Sequence, residues 1–260
     1  MERLEKLKAA IKGKKILLLG PTGSGKGNRA KDLEALGLVH IGLGAILREK
    51  VRKDPNSELS LSVIETTKKG TLLPDHLVFP IVMDYLNRND CQQRGFVMEG
   101  FPRTKAQADL LLSEIDLDIV FLLDVPKAFL IDGILLFNRH SCIECKTTYS
   151  DFDPPKVKGI CDRCGNRLIK RMSDRVERVK TRLKIYEEQI RSFLPDLEAK
   201  GIVQVLTITV DDDEAIRNKY LKKLKGEIYW VQTDRGGKAR MLNYEGMRKR
   251  LYRILEEKLI

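Results

Sequence analysis

Lys15-Ile16-Leu17-Leu18-Leu19 runs directly into Gly20-Pro21-Thr22-Gly23-Ser24-Gly25-Lys26-Gly27-Asn28. A short, fully apolar run that stops at a glycine reads as a buried parallel strand. The glycines that follow make a turn in which backbone N–H groups converge on one point. The helix predicted from about Asn28 to Leu36 adds positive partial charge at its N-terminus, and Lys26 adds a mobile cation. Strand, glycine-rich turn and helix in this order open an α/β fold built to hold phosphate groups. The usual phosphate-loop pattern has Ser or Thr after the lysine; here Gly27 takes that place and Asn28 follows.

Working outward, Gly95–Met98, Ile119–Leu123 and Ile202–Leu206 are three more apolar runs of strand length, with helical patterns between them. Strands alternating with helices predict a parallel sheet covered on both faces. Upstream, Leu4, Leu7 and Ile11 lie at helical spacing among charges and predict a short amphipathic helix. Arg175–Leu194 predicts a long helix ended by Pro195. Beyond Lys225, Glu227–Val231 and Ala239–Leu242 read as strands joined by the Asp234-Arg235-Gly236-Gly237 turn. Asn243 is placed to cap a last helix carrying Met247, Leu251, Ile254, Leu255 and Leu259 on one face.

Residues 139–176 break this rhythm, being rich in Cys, Pro, Gly and charge, and read as an inserted small domain. Cys142-x2-Cys145 and Cys161-x2-Cys164 are separated by fifteen residues. Each pair can occupy two vertices of a tetrahedron from one tight knuckle, so the four thiolates predict a closed structural zinc site with no open position for catalysis. Cys91 stands alone and reads as a buried or incidental thiol.

With 260 residues, 42% of them hydrophobic, the chain is long and apolar enough for one substantial domain with insertions and is not a disordered polymer. No apolar run approaches the roughly 18 residues of a membrane span. The start, MERLEKLKAAIKGKK, carries both signs of charge without an apolar stretch, so it reads as neither a secretory signal nor a transit peptide, and the thiols point to a reducing cytoplasmic setting. A net charge of +11 favours polyanionic partners: nucleotides, nucleic acid or anionic membrane surfaces. The 6% aromatic content argues against a groove that stacks bases.

Several stretches taken together resemble one family. They are GPTGSGKG, then Glu99-Gly100-Phe101-Pro102-Arg103-Thr104 with Gln107, Asp153-Pro154-Pro155-Lys156 between the cysteine pairs, and Arg171 and Arg182. In order and spacing, from about Lys14 to Lys225, they look like an adenylate kinase of the long, zinc-lid type. The resemblance implies an α/β, P-loop NTPase-like parallel sheet with helices on both faces. It divides the chain into a core over 1–225, an acceptor-binding segment over 43–73, a zinc-ribbon-like lid over 139–176 and a basic extension over 226–260. It also implies transfer of the terminal phosphoryl group of ATP to AMP, with Mg²⁺, by a monomer that needs neither membrane nor nucleic acid.

Carried over by position, Gly20, Gly23, Ser24, Gly25, Lys26, Gly27 and Asn28 would hold the donor phosphates. Arg48 and Arg103 would bind the acceptor phosphate, and Gln107 would read the acceptor base. Arg139, Arg171 and Arg182 would clamp phosphates when the lid shuts. Glu99 would take the place of the family's aspartate that orients magnesium-bound water. Lys26, Arg103, Arg139, Arg171 and Arg182 would carry the catalysis, and Cys142, Cys145, Cys161 and Cys164 the zinc. The family usually has Ser-Thr-Gly-Asp where this chain has Gly42-Leu43-Gly44-Ala45, and an arginine against the donor base where it has Leu135. Slow transfer, a kinase for another nucleoside monophosphate, and a catalytically weakened nucleotide-binding protein all fit these departures. The basic tail reads as an extra hairpin and helix packed on the core with a solvated basic face, with a nucleic-acid- or partner-binding appendage as the alternative.

Overall fold

From the N-terminus, α1 (Glu2–Ile11) leads into β1 (Lys15–Leu19), α2 (Lys26–Ala35) and β2 (Val39–Gly42). Four helices follow, α3 (Leu43–Lys53), α4 (Glu58–Lys69), α5 (Asp75–Leu86) and α6 (Asn89–Arg94), before β3 (Phe96–Glu99), α7 (Lys105–Glu114) and β4 (Ile119–Asp124). A small module holds β5 (His140–Cys142), β6 (Thr148–Tyr149) and β7 (Leu168–Lys170). Then α8 (Val176–Ala199) returns the chain to β8 (Val203–Thr207), and β9 (Ile228–Gln232), β10 (Lys238–Leu242) and α9 (Tyr244–Leu259) end it. The computed structural model describes residues 2–125, 140–145, 147–149, 155–170, 176–207, 228–232, 238–242 and 244–260.

The central sheet is parallel, in the order β2-β3-β1-β4-β8. Alternation along β1 explains why both faces are covered. Ile16 and Leu18 enter one apolar cluster with Leu7, Ile11, Leu33, Phe121, Leu251 and Leu255; Leu17 and Leu19 enter the other with Ile41, Val82, Met98, Val120 and Phe193. Successive side chains of a strand point to opposite faces, so a five-residue apolar run serves two layers at once. The register brings Leu18 opposite Glu99, and Glu99 opposite Gly42, at the carboxyl ends of β1, β3 and β2. In open α/β sheets that end of the strands is where ligands bind.

The strand β2 was not foreseen from sequence. Its alternation is broken by His40 and closed by Gly42, and only its place beside β3 makes it a strand. The expected end of the long helix at Pro195 is corrected: α8 continues to Ala199 with Pro195 inside it. Proline removes one helical hydrogen bond. Here Phe193 and Leu197, on either side, are both buried in the core and hold the last turn in place. In α1 only Leu7 and Ile11 are buried, and Leu4 is exposed. The expected cap Asn243 and the turn at 234–237 lie outside the described residues.

The last helix belongs to the core. Its Met247, Leu251 and Leu255 are buried in the same apolar cluster as residues of α1, α2, β1, β4 and β8. Arg250 donates to the Thr207 carbonyl at 2.6 Å, and the Tyr252 hydroxyl donates to the Asp32 carbonyl at 3.2 Å. Arg3 of α1 pairs with Glu256, so the first and last helices meet. Among the described residues no helix is long and apolar enough to cross a membrane.

Candidate functional site

Gly20 must be glycine because a Cβ there would stand 2.8 Å from Ser24 Oγ and 3.0 Å from Leu123 Cβ. The turn can therefore press against β4. Gly25, at φ +87°, precedes α2, and no side chain caps that helix. Uncapped first-turn amides, together with the helix dipole, favour an anion. Ser24 Oγ is buried and has no hydrogen-bond partner among the described residues. An orphaned hydroxyl in a glycine turn is a donor waiting for a phosphate oxygen. Lys26 folds its ammonium back onto the loop, donating to the carbonyls of Gly20 at 2.6 Å and Pro21 at 2.8 Å. Asn28, half-buried, lies in the first turn of α2.

Glu99 faces this loop. A Cβ on Gly27 would come 3.8 Å from Glu99 Oε1, so carboxylate and loop are within van der Waals range of each other. Burial works to raise the Glu99 pKa. The His40 imidazole and the charges of Lys26 and Arg103 outweigh it and hold the carboxyl below its ordinary range. Glu99 is therefore ionised at neutral pH. His40 was missed by sequence reasoning, which had no strand there to aim it. Its Nε2 lies 3.9 Å from Glu99 Oε1.

Arg103 follows the cis Phe101–Pro102 bond and is exposed; its Nε donates to the Gly100 carbonyl at 2.8 Å. Arg48 Nη1 would lie 3.3 Å from a Cβ on Gly44, and Arg103 Nη2 3.5 Å from one on Gly100. Such a Cβ on Gly100 would also lie 3.8 Å from the Gly44 nitrogen, so the two guanidinium groups stand over adjoining segments. Thr104 caps α7 by accepting from the Gln107 N–H. That turn aims the buried Gln107 amide: Nε2 donates to Asp75 Oδ1 at 2.6 Å, and Oε1 accepts from the Arg103 N–H at 2.7 Å. Asp75, the first residue of α5, is a second neighbour that the motifs did not point to.

The four cysteines converge in the small antiparallel module, whose strand order is β6-β5-β7. Their sulfurs lie within 4.8 Å of one another, with Cys142–Cys164 and Cys145–Cys161 each 3.4 Å apart. Sulfurs on one zinc, bonded at about 2.3 Å, stand roughly 3.8 Å apart. The Glu144 N–H points at Cys142 Sγ, and the Tyr149 hydroxyl lies 3.4 Å from Cys161 Sγ. Such donors stabilise thiolates and orient them. Cys142, Tyr149, Cys161 and Leu168 form the module's own small core. Four soft donors, preorganised around one point, fit a zinc ion.

The sequence profile described as "Adenylate kinase" matches residues 18–202. The chain belongs to the adenylate kinase family. The adenylate kinase of Syntrophomonas wolfei is 40% identical over 195 residues, covering 72% of this chain and 88% of that protein. That of Methanosarcina mazei is 39% identical over 203 residues, covering 75% and 92%. That of Clostridium kluyveri is 37% identical over 199 residues, covering 74% and 89%. With its four-cysteine cluster the chain is of the family's zinc-lid type, and an enzyme of the nucleoside monophosphate kinase kind.

Of the residues picked out by sequence, the loop 20–28, Arg48, Glu99, Arg103 and Gln107 lie at the carboxyl ends of β1, β2 and β3 or in the segments that follow them. Arg182 is half-buried on α8. Arg139 and Arg171 lie outside the described residues, as does Leu135. Cys91, on α6, sits buried in the core, where burial pushes its thiol up to about 11, so it is an inert packing residue.

Proposed function

We propose that this adenylate kinase family member transfers the terminal phosphoryl group of ATP to AMP, giving two molecules of ADP. The observation that carries the reading is an ionised Glu99 beside Lys26 at the mouth of a glycine loop, with Ser24 Oγ left unpartnered. The loop amides and Ser24 take the donor phosphates. Lys26 exchanges its two carbonyl partners for phosphate oxygens, a small rearrangement of a flexible side chain. Arg48 and Arg103 hold the acceptor phosphate. The Gln107 amide, pinned by Asp75 and the Arg103 N–H, keeps one N–H and one oxygen lone pair for the acceptor base. No protein nucleophile is involved; the residues align the two phosphates and offset the charge that builds between them. Arg139, Arg171 and Arg182 add their charge when the lid closes over the donor and excludes water.

Magnesium, when bound with ATP, supplies further charge neutralisation at the phosphates; Glu99 is the carboxylate placed to orient its water shell. Zinc, held by Cys142, Cys145, Cys161 and Cys164, stiffens the lid and takes no part in the chemistry. In this reading the core spans 1–225, with an acceptor-binding segment over 43–73 and a lid over 139–176, and residues 226–260 are a basic extension. The enzyme works as a cytoplasmic monomer on small nucleotides, without nucleic acid.

A coupled assay for ADP formation from ATP and AMP tests the reading. Lys26→Ala is expected to lower turnover by at least about a hundredfold with an unchanged circular dichroism spectrum. ATP binding with no ADP formed by the parent protein would favour a catalytically weakened nucleotide-binding protein instead.

A further inference from the structure

His40 Nε2 is a buried polar atom with no hydrogen-bond partner among the described residues. Such an atom costs free energy unless something arrives to satisfy it. Glu99 Oε1 lies 3.9 Å away, beyond hydrogen-bond length, yet the two face each other. One metal ion with bonds of about 2.1 Å to nitrogen and oxygen spans at most roughly 4.2 Å between two ligand atoms, so a single cation reaches both. Gly42 keeps the pair open: a Cβ there would lie 3.1 Å from His40 Nε2 and 3.3 Å from Glu99 Oε1. The same carboxylate oxygen borders Gly27 of the phosphate loop, so an ion at this point also meets a bound nucleotide's phosphates. On the other side, Ala45 offers no carboxylate.

We propose that His40 and Glu99 form a nitrogen–carboxylate pair that ligates a first-row transition ion on the bound nucleotide directly, where Mg²⁺ keeps its water shell between itself and Glu99, which biases this site toward the transition ion. The inference rests on the phosphoryl-transfer reading, because the nucleotide supplies the remaining oxygen ligands. Mg²⁺ keeps its water and favours oxygen, whereas imidazole nitrogen suits the transition ions. A site that held its ion only through water-bridged carboxylates would show little such bias.

Pulsed electron paramagnetic resonance tests this on zinc-loaded protein with Mn²⁺ and a non-transferable ATP analogue. The expected result is a directly coordinated nitrogen that changes its signature when the protein's three histidines are labelled with ¹⁵N. That signal should vanish in His40→Gln. The ratio of Mn²⁺ to Mg²⁺ affinity of the protein–analogue complex should fall about tenfold in the same variant. If His40→Gln fails to fold, the labelling experiment on the parent protein alone decides. Analogue bound with Mn²⁺ ligated only by oxygen overturns the ligand pair and leaves the kinase reading standing. No binding of the analogue overturns both.

Discussion

Ala45 is a position at which this chain departs from the family's usual pattern. It is exposed in the first turn of α3, a helix with no acidic residue in that turn. The aspartate usual at this position in the family would favour the helix N-terminus through the dipole. On the phosphoryl-transfer reading proposed above, it would also add a carboxylate to the surroundings of the nucleotide's cation. Ala45→Asp is thus expected to keep or slightly raise Tm, to increase turnover, and to lower the magnesium needed for half-maximal rate. A magnesium titration of both proteins at saturating nucleotide checks this, and superimposed curves would contradict it. The gain should appear in rate more than in nucleotide affinity, because charge organisation matters most in the transition state.

At the scale of elements, the cysteine module and the pairing of the terminal helices carry separate predictions. Among the described residues the module's core is Cys142, Tyr149, Cys161 and Leu168, with Cys145 packed beside them. So small a cluster does not by itself offset the ordering of the whole segment, so zinc held by the four thiolates would be coupled to its folding. Cys161→Ser is expected to lose stoichiometric zinc and to speed amide exchange in residues 140–170, leaving exchange in the central sheet unchanged. Elemental analysis with hydrogen exchange reads both, and a zinc-free variant whose module stays protected would show that the metal is dispensable. The Arg3–Glu256 pair joins α1 to α9. The Arg3 guanidinium, by hydrogen bonding, holds the Glu256 carboxyl below its ordinary range, against a smaller contribution from burial. A carboxyl lowered on folding contributes stability above its unfolded pKa, and that stability is lost as pH falls through its folded pKa. Glu256→Gln should therefore cost at most about 1 kcal/mol at pH 7, since Arg3 is exposed. The difference from the parent should close as the pH is taken below the carboxylate range in denaturant titrations. A difference that persisted in acid would assign the effect to packing.

For the whole molecule, α9 extends the buried core. It lies beyond the stretch that matches the family profile, yet Leu251 and Leu255 are fully buried against the sheet. Leu251→Ala is expected to cost about 2–5 kcal/mol, measured by urea unfolding. Removing α9 should lower the yield of folded protein as well as Tm; a truncation with the parent's Tm would show that the helix only decorates the core. Much of this was legible in the chain itself. The apolar run 15–19 before a glycine loop announces a two-sided strand, because burial on both faces leaves no polar position. The cysteine spacing announces one tetrahedral centre, because two knuckles of that size have few other uses. The seam of α9 was equally visible, because Met247, Leu251 and Leu255 recur at helical period. That it packs on the core was expected; which residues it meets was not, since a helical stripe says only that some apolar surface waits for it. Nor was β2 legible, a four-residue strand whose pattern is too short to carry a period. With β2 unseen, His40 had no direction. Its meeting with Glu99 joins residues 59 positions apart through the parallel register of β2 with β3. Local sequence determined which elements form and which residues carry charge or sulfur. The pairing order of the strands alone decided which of those residues share one point in space, because that order is set by burying the whole core at once.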